Sequence, residues 1–262
     1  MLKCFILVSV FLLAAPVAAL AQTAYDIEQL HPDVRVVVLA AREAQEPAEN
    51  AAARAREAAA QGEDAAARAR VGEEGYRAHA REGDPDRRSY EGQWRSGRSQ
   101  GVGVLTFGAG RFEGDRYAGG FSCGHKHGFG VYSYAHERND RVETRYEGGY
   151  DNGRWSGSGI YYARDGARYA GEVAAEGMSG VGVHVSANGW RYEGQFANNR
   201  PNGLGVLWDA RGRVRRVGIF ENARLVLRLN ANSPSPEMLS TVKDKPSDAR
   251  TCAAAMVEDV EP

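Results

Sequence analysis

Three side chains within five residues, Cys123, His125 and His127, are of the types that hold zinc or copper. A closed site needs a fourth donor, and His136 is the only neighbour that offers one. The segment Cys123-Gly124-His125-Lys126-His127 falls on a turn of the repeat set out below, so neither a metal nor a cofactor is expected there. A second chemistry is suggested by paired glycines at Gly101/Gly103, Gly128/Gly130, Gly157/Gly159, Gly180/Gly182 and Gly203/Gly205. A phosphate loop needs a strand before the glycines and a helix N-terminus after them. Here an apolar residue follows each pair (Val104, Val131, Ile160, Val183, Val206), which places the glycines inside a strand and argues against nucleotide binding. A third candidate is the basic cluster Arg211, Arg213, Arg215 and Arg216, since guanidinium groups pair with phosphate oxygens. The fourth is a row of rings: Tyr90, Trp94, Tyr117, Phe121, Tyr146, Tyr150, Tyr169, Tyr192 and Phe196. Rings displayed on one face are good contacts for a protein partner.

Catalysis has no foothold in this pattern. There is no nucleophile elbow, no HExxH, and no acid pair in a defined setting. Residues 90–222 carry 17 basic and 14 acidic side chains, too balanced for nucleic-acid binding.

The elements that position these residues fall into four regions. Residues 1–21 have a basic start, an apolar run from Phe5 to Leu13 and Ala19-Leu20-Ala21 before Gln22, the layout of a signal peptide cleaved after Ala21. Export to a periplasm, or secretion, is the expectation, with a retained membrane anchor over Met1 to Ala21 as the alternative. Residues 22–88 are rich in Ala, Arg and Glu and read as helix from about Pro32 to Arg81, with Pro47 starting a second helix. Ala51-Ala52-Ala53-Arg54-Ala55-Arg56 nearly recurs as Ala65-Ala66-Ala67-Arg68-Ala69-Arg70, fourteen residues or two heptads later. A coiled-coil seam needs side chains larger than alanine, so the expectation is a solvated helix, with a spacer or self-associating helix as the functional alternative. Only Val34, Val36, Val37, Val38 and Leu39 offer enough apolar surface to dock. Residues 231–262 contain four prolines and are expected to be a disordered tail. Cys123 and Cys252 are the cysteines left after leader removal, and an oxidising compartment would permit a bridge between them.

Residues 89–230 hold 28 of the 32 glycines, all between Tyr90 and Asn222. Pentads YEGQW, YAGGF, YEGGY, YAGEV and YEGQF start at Tyr90, Tyr117, Tyr146, Tyr169 and Tyr192, and a degenerate VGIF starts at Val217. The glycine pairs stand eleven and thirteen residues after each of the five tyrosines. Between pentad and pair lie Ser96-Gly97, Cys123-Gly124, Asn152-Gly153, Glu176-Gly177 and Asn198-Asn199, residues suited to tight turns. Second turns follow at Ala109-Gly110, Asp165-Gly166, Asn188-Gly189 and Arg211-Gly212. The unit is strand, turn, strand, turn. The paired glycines are expected to make room for rings, because glycine otherwise weakens a strand.

These motifs resemble the MORN repeat family, whose unit carries Y-x-G-x-W, an Asn-Gly turn and G-x-G before an apolar residue. The resemblance covers Tyr90 to about Leu229. It implies a mainly β chain: an elongated, single-layer antiparallel array of five hairpins, with Val217–Phe220 and Leu225–Leu229 as a terminal one. It also implies an interaction role, leading to a non-catalytic envelope scaffold that binds a protein on the aromatic face. Peripheral binding to anionic phospholipid through the arginine cluster and binding of cell-wall polysaccharide are the alternatives. Homodimerisation is a further expectation, because an open sheet exposes strand edges.

Overall fold

The computed structural model describes residues 27–80, 84–135, 143–175, 177–230 and 232–233. The expected signal peptide at residues 1–21, Cys252 and nearly all of the tail lie outside the described residues. Thirteen strands form one antiparallel sheet in which every strand pairs with its sequence neighbours. They are β1 Tyr76–Ala80, β2 Ser89–Arg95, β3 Arg98–Thr106, β4 Arg116–Ser122, β5 His125–Ser133, β6 Glu143–Asp151 and β7 Arg154–Ala163. Then follow β8 Arg168–Ala175, β9 Gly177–Val185, β10 Arg191–Ala197, β11 Arg200–Trp208, β12 Val214–Glu221 and β13 Arg224–Arg228. Among the described residues two helices precede them: α1, Pro32–Glu43, and α2, Gln45–Arg70. The helical expectation to Arg81 is therefore too long. The chain leaves the helix at Arg70, and Tyr76–Ala80 adds a strand beside β2.

The repeated glycines have two separate jobs. The second of each pair lies under the tyrosine of its own hairpin: a Cβ on Gly103 would sit 2.5 Å from the Tyr90 hydroxyl, and one on Gly182 would sit 2.5 Å from that of Tyr169. The first adopts a left-handed backbone, with φ +75° at Gly101 and +74° at Gly128, so it serves the backbone rather than a ring. In three units the amide that follows is bonded by a side chain from the facing strand: Val102 N–H donates to Gln93 Oε1 (2.9 Å), Val181 N–H to Glu172 Oε2 (2.9 Å) and Leu204 N–H to Gln195 Oε1 (2.8 Å). Each tyrosine hydroxyl donates to the carbonyl three residues on, at 2.7 Å from Tyr90 to Gln93 and 2.9 Å from Tyr117 to Gly120. The turn residues Ser96, Cys123, Asn152, Ala175 and Asn198 all have φ between +47° and +51°. In the fourth unit the turn begins at Ala175, six residues past its tyrosine as in the other four, and the expected Glu176-Gly177 pair lies one residue late.

The sheet has two unlike faces. On one, rings run in a relay: Tyr90 meets Phe121 edge-on at 4.8 Å, Tyr117 meets Phe121 at 5.2 Å and Tyr150 at 4.9 Å, and Tyr192 meets Phe196 at 5.2 Å and Phe220 at 5.0 Å. Val173 replaces a ring in the fourth unit and stays in the same core. The other face carries the residues after each tyrosine and the valines after each glycine pair, and both helices lie on it. α1 touches β9–β11 and α2 runs over β1–β8.

The segment expected to be solvated is therefore docked along the whole sheet. Its alanines fit because the sheet face beneath is built of small residues. Ala48 and Ala52 pack with Ile160 and Ala170, and Ala66 packs with Val104 and Ala118. Gly62 sits so close that a Cβ would lie 2.7 Å from the Gly103 carbonyl oxygen. Val34 and Val38 supply the larger contact, with Val206, Trp208 and Leu229. His31 caps α1, accepting from Asp33 N–H at 3.3 Å, and Pro32 occupies the first turn.

Candidate interaction surfaces

Along the helical rod, Arg42, Glu49, Arg56, Glu63 and Arg70 recur every seven residues with alternating charge. Each meets its opposite on a successive hairpin. Arg42 pairs with Glu193 on β10 (2.9 Å), Glu49 with Arg168 on β8 (3.3 Å) and Arg56 with Glu147 on β6 (3.2 Å). Glu63 then pairs with Arg116 on β4, and Arg70 with Glu91 on β2. Seven helical residues rise about 10.5 Å, and two strand spacings cover about 9.6 Å. One heptad therefore measures one hairpin. The fourteen-residue recurrence matches two hairpins of the sheet, so the helix expected to be solvated is docked.

The sheet's side of this match is written in its pentads, where the residue after the tyrosine alternates Glu91, Ala118, Glu147, Ala170, Glu193. That alternation, set beside the helical charges, is the signal that reading the hairpins alone leaves unused. Glu147 and Glu193 are both buried, and each also has an arginine from its own strand, Arg145 at 3.0 Å and Arg191 at 2.9 Å. Arg42 and Arg191 further stack on Trp208, at 5.7 and 5.2 Å from the ring centre.

The expected partner-binding rings are placed on one face, as their spacing requires, but they contact mainly one another. Tyr90, Tyr117, Phe121, Tyr146, Tyr150, Tyr169, Tyr192 and Phe196 are buried, and only Trp94 is half-exposed. Mutual edge-to-face packing, with each tyrosine folded over its glycine, is what withdraws them from solvent. Burial also raises the hydroxyl pKa of Tyr90, Tyr117, Tyr146, Tyr150, Tyr169 and Tyr192 above the ordinary phenol value. What this face presents instead is half-buried Trp94, Trp155, Tyr161, Met178, Leu207 and Leu225, packed against that core. Among the described residues no helix covers it.

The arginine cluster is partly neutralised. Asp209 sits between Arg213 (2.9 Å) and Arg215 (2.8 Å). The Arg213 backbone amide and guanidinium hold its carboxyl pKa down to about 2, with help from the Arg211 amide. Arg211 and Arg216 are exposed, and Arg216 stands where the sixth unit would have its tyrosine, opposite Leu207. The four cations thus do not form one free phosphate cradle.

Cys123, His125 and His127 lie on the β4–β5 turn and strand, with His127 Nδ1 3.3 Å from Asp151. Among the described residues no three His, Cys, Asp or Glu side chains gather as a metal site, and Cys123 is exposed and unbridged. Gly97-Arg98-Ser99-Gln100-Gly101 does carry the G-x-S-x-G spacing of a nucleophile elbow, but Ser99 is buried at the start of β3 and strand, not helix, continues from it. A nucleophile elbow requires a strand-to-helix turn. Among the described residues no helix is long and apolar enough to span a membrane.

The MORN repeat model matches residues 90–110, 117–135, 146–168 and 192–212. Four of the hairpins match that repeat. The unit at Tyr169 is outside the matched segments but has the same construction: its hydroxyl donates to the Glu172 carbonyl at 2.7 Å and its ring lies over Gly182. No curated protein matches the chain.

Proposed function

We propose that this protein is a non-catalytic interaction scaffold of the cell envelope, exported by its N-terminal leader, that docks a protein partner on the ring-bearing face of the MORN array. The observation that carries this reading is the asymmetry of the sheet. One face is taken by the chain's own helices, and the other offers Trp94, Trp155, Tyr161, Met178, Leu207 and Leu225 with no described helix over them. Such a face suits a partner's apolar side chains, because the buried relay beneath is rigid and needs no reordering on binding. MORN repeats are consistent with either a protein or a membrane role. The pairing of Arg213 and Arg215 with Asp209 favours the protein.

The test is crosslinking and capture of the tagged chain from its native envelope fraction, comparing wild type with Leu207→Glu and Leu225→Glu. One enriched protein, lost in both variants while their circular dichroism stays native, is the expected result. Capture unchanged by both, or anionic lipid recovered without any protein, would reject this docking face.

A further inference from the structure

The helix-bearing face is a second interaction surface, and its chemistry specifies its occupant closely. It presents Glu91, Arg116, Glu147, Arg168 and Glu193 in alternating sign at one-hairpin intervals. Ala118 and Ala170 lie between them, with bare backbone at Gly103 beneath Gly62. The fitting ligand is a helix with arginine and glutamate alternating every seven residues and only small residues on the contacting side. A second copy of this chain carries that helix by construction.

Three features make its transfer between copies physically reasonable. First, every buried residue of α2 is alanine or glycine, and the rod's larger apolar contacts are confined to Val34 and Val38 of α1. Burial stabilises by about 25 cal/mol per Å² of apolar area, and an alanine contributes little of it. Second, the link from α2 to β1 is only Val71–Gly75, fully exposed, with Gly72 and Gly75 at φ +75° and +84°. Glycine at positive φ also has open extended conformations, so this tight turn can straighten and carry the helix away from its own sheet. Third, α1 and α2 form a nearly continuous rod. Ala44 N–H donates to Ala40 (2.9 Å) and Ala48 N–H to Ala44 (3.3 Å), so the rod can move as one piece.

We infer that two copies of this chain exchange α1–α2 reciprocally, each rod lying on the other copy's Glu/Arg sheet face in the same one-heptad-per-hairpin register. Exchange leaves the ring-bearing faces of both copies free, so the dimer presents two partner faces and not one. This assembly does not depend on what the ring-bearing face binds.

Ala52 and Ala170 pack in one cluster in the closed chain, and in the exchanged dimer they would come from different chains. The experiment uses the whole chain with Cys4→Ser, Cys123→Ser and Cys252→Ser, carrying either Ala52→Cys or Ala170→Cys. The two proteins are mixed, incubated and oxidised. A disulfide-linked heterodimer approaching the statistical half of the mixture is expected, and light scattering of the wild type should show a concentration-dependent dimer. The doubly substituted chain, Ala52→Cys with Ala170→Cys, reports that the pair can close at all. Crosslinking in that chain with none between the mixed single variants would overturn the exchange. A second arm mixes Arg56→Glu with Glu147→Arg. Each alone sets like charges together, whereas the reciprocal heterodimer restores opposite charges at that position in both rods. Heterodimer enriched over either homodimer by several-fold supports the inference, and purely monomeric mixtures contradict it.

Discussion

Replacing Arg42 and Arg56 by alanine separates a buried clamp from a surface pair made by the same residue type. Arg42 donates Nε to Glu193 Oε1 at 3.0 Å and Nη2 to Oε2 at 2.9 Å, and its side chain is 16% exposed against 1% for Glu193. Charge-assisted hydrogen bonds of this kind contribute roughly 1.5–3 kcal/mol each. Glu193 would keep Arg191 at 2.9 Å, so the carboxylate is not orphaned. The expected loss for Arg42→Ala is then about 2–3 kcal/mol, below the roughly 3–5 kcal/mol of a fully abandoned buried charge. Arg56 reaches Glu147 through one contact of 3.2 Å, and its side chain is 55% exposed. Water screens that pair, and Arg56→Ala should cost only about 0.5–1 kcal/mol. For an ordered region of this size about 2–4 °C of melting temperature accompanies each kcal/mol. Thermal melts followed by far-ultraviolet circular dichroism should therefore fall by about 4–12 °C for Arg42→Ala and by less than about 4 °C for Arg56→Ala. Equal shifts, or a larger one at Arg56, would refute the assignment of Arg42–Glu193 as the buried clamp.

Gly62→Ala should lower the melting temperature although alanine is the better helix former by about 1 kcal/mol. Its new Cβ would meet the Gly103 carbonyl at 2.7 Å, and a stabilised variant would show that α2 does not lie this close. Shortening α2 by seven residues within 57–63 should set Arg56 against Arg116, Glu49 against Glu147 and Arg42 against Arg168. Removing fourteen, 50–63, sets Glu49 against Arg116 and Arg42 against Glu147. The longer deletion is thus predicted to give the more protected rod by limited proteolysis, a reversal of the usual order. The buried tyrosines set the alkaline limit. Their folded pKa values are raised, so the unfolded state loses protons first once the pH exceeds its own value near ~10. Stability from these groups is complete below that pH and falls above it. Phenolate absorbance and loss of ellipticity should rise together above this pH, and ionisation of most tyrosines with the ellipticity intact would contradict their burial.

The hairpins were legible because their determinants are local and recur at fixed offsets. A tyrosine, the glycine thirteen residues on and a turn residue with positive φ define each unit without reference to anything distant. The unit at Tyr169 shows how far this goes, since Val173 in place of a ring leaves both its tyrosine–glycine pairing and its turn at Ala175 intact. The docking of α1–α2 was not legible from either element alone. Alanine is too small for a helix–helix seam, and that rule holds. It does not extend to a sheet face made of Ala118, Ala170 and bare glycine backbone, on which a small side chain allows close approach. The rings expected to meet a partner do share one face, but they lie deeper than expected. Alternation tells which side a ring occupies, and only the relay from Tyr90 to Phe220 shows that the rings bury one another. In the arginine cluster, the acid that occupies Arg213 and Arg215 precedes them by four and six residues, across the turn at Gly212, where charge counting misses it.

The docked rod is the claim on which both proposed surfaces rest, and hydrogen–deuterium exchange of the whole chain, resolved over Gln45–Arg70, tests it most directly. The account predicts slow amide exchange along α2, as slow at Arg56 as at the strands beneath, and faster exchange there when Glu147 and Glu193 are replaced by alanine. Exchange over Gln45–Arg70 at the rate of the isolated peptide, unchanged by those replacements, would mean a solvated helix and would contradict the account.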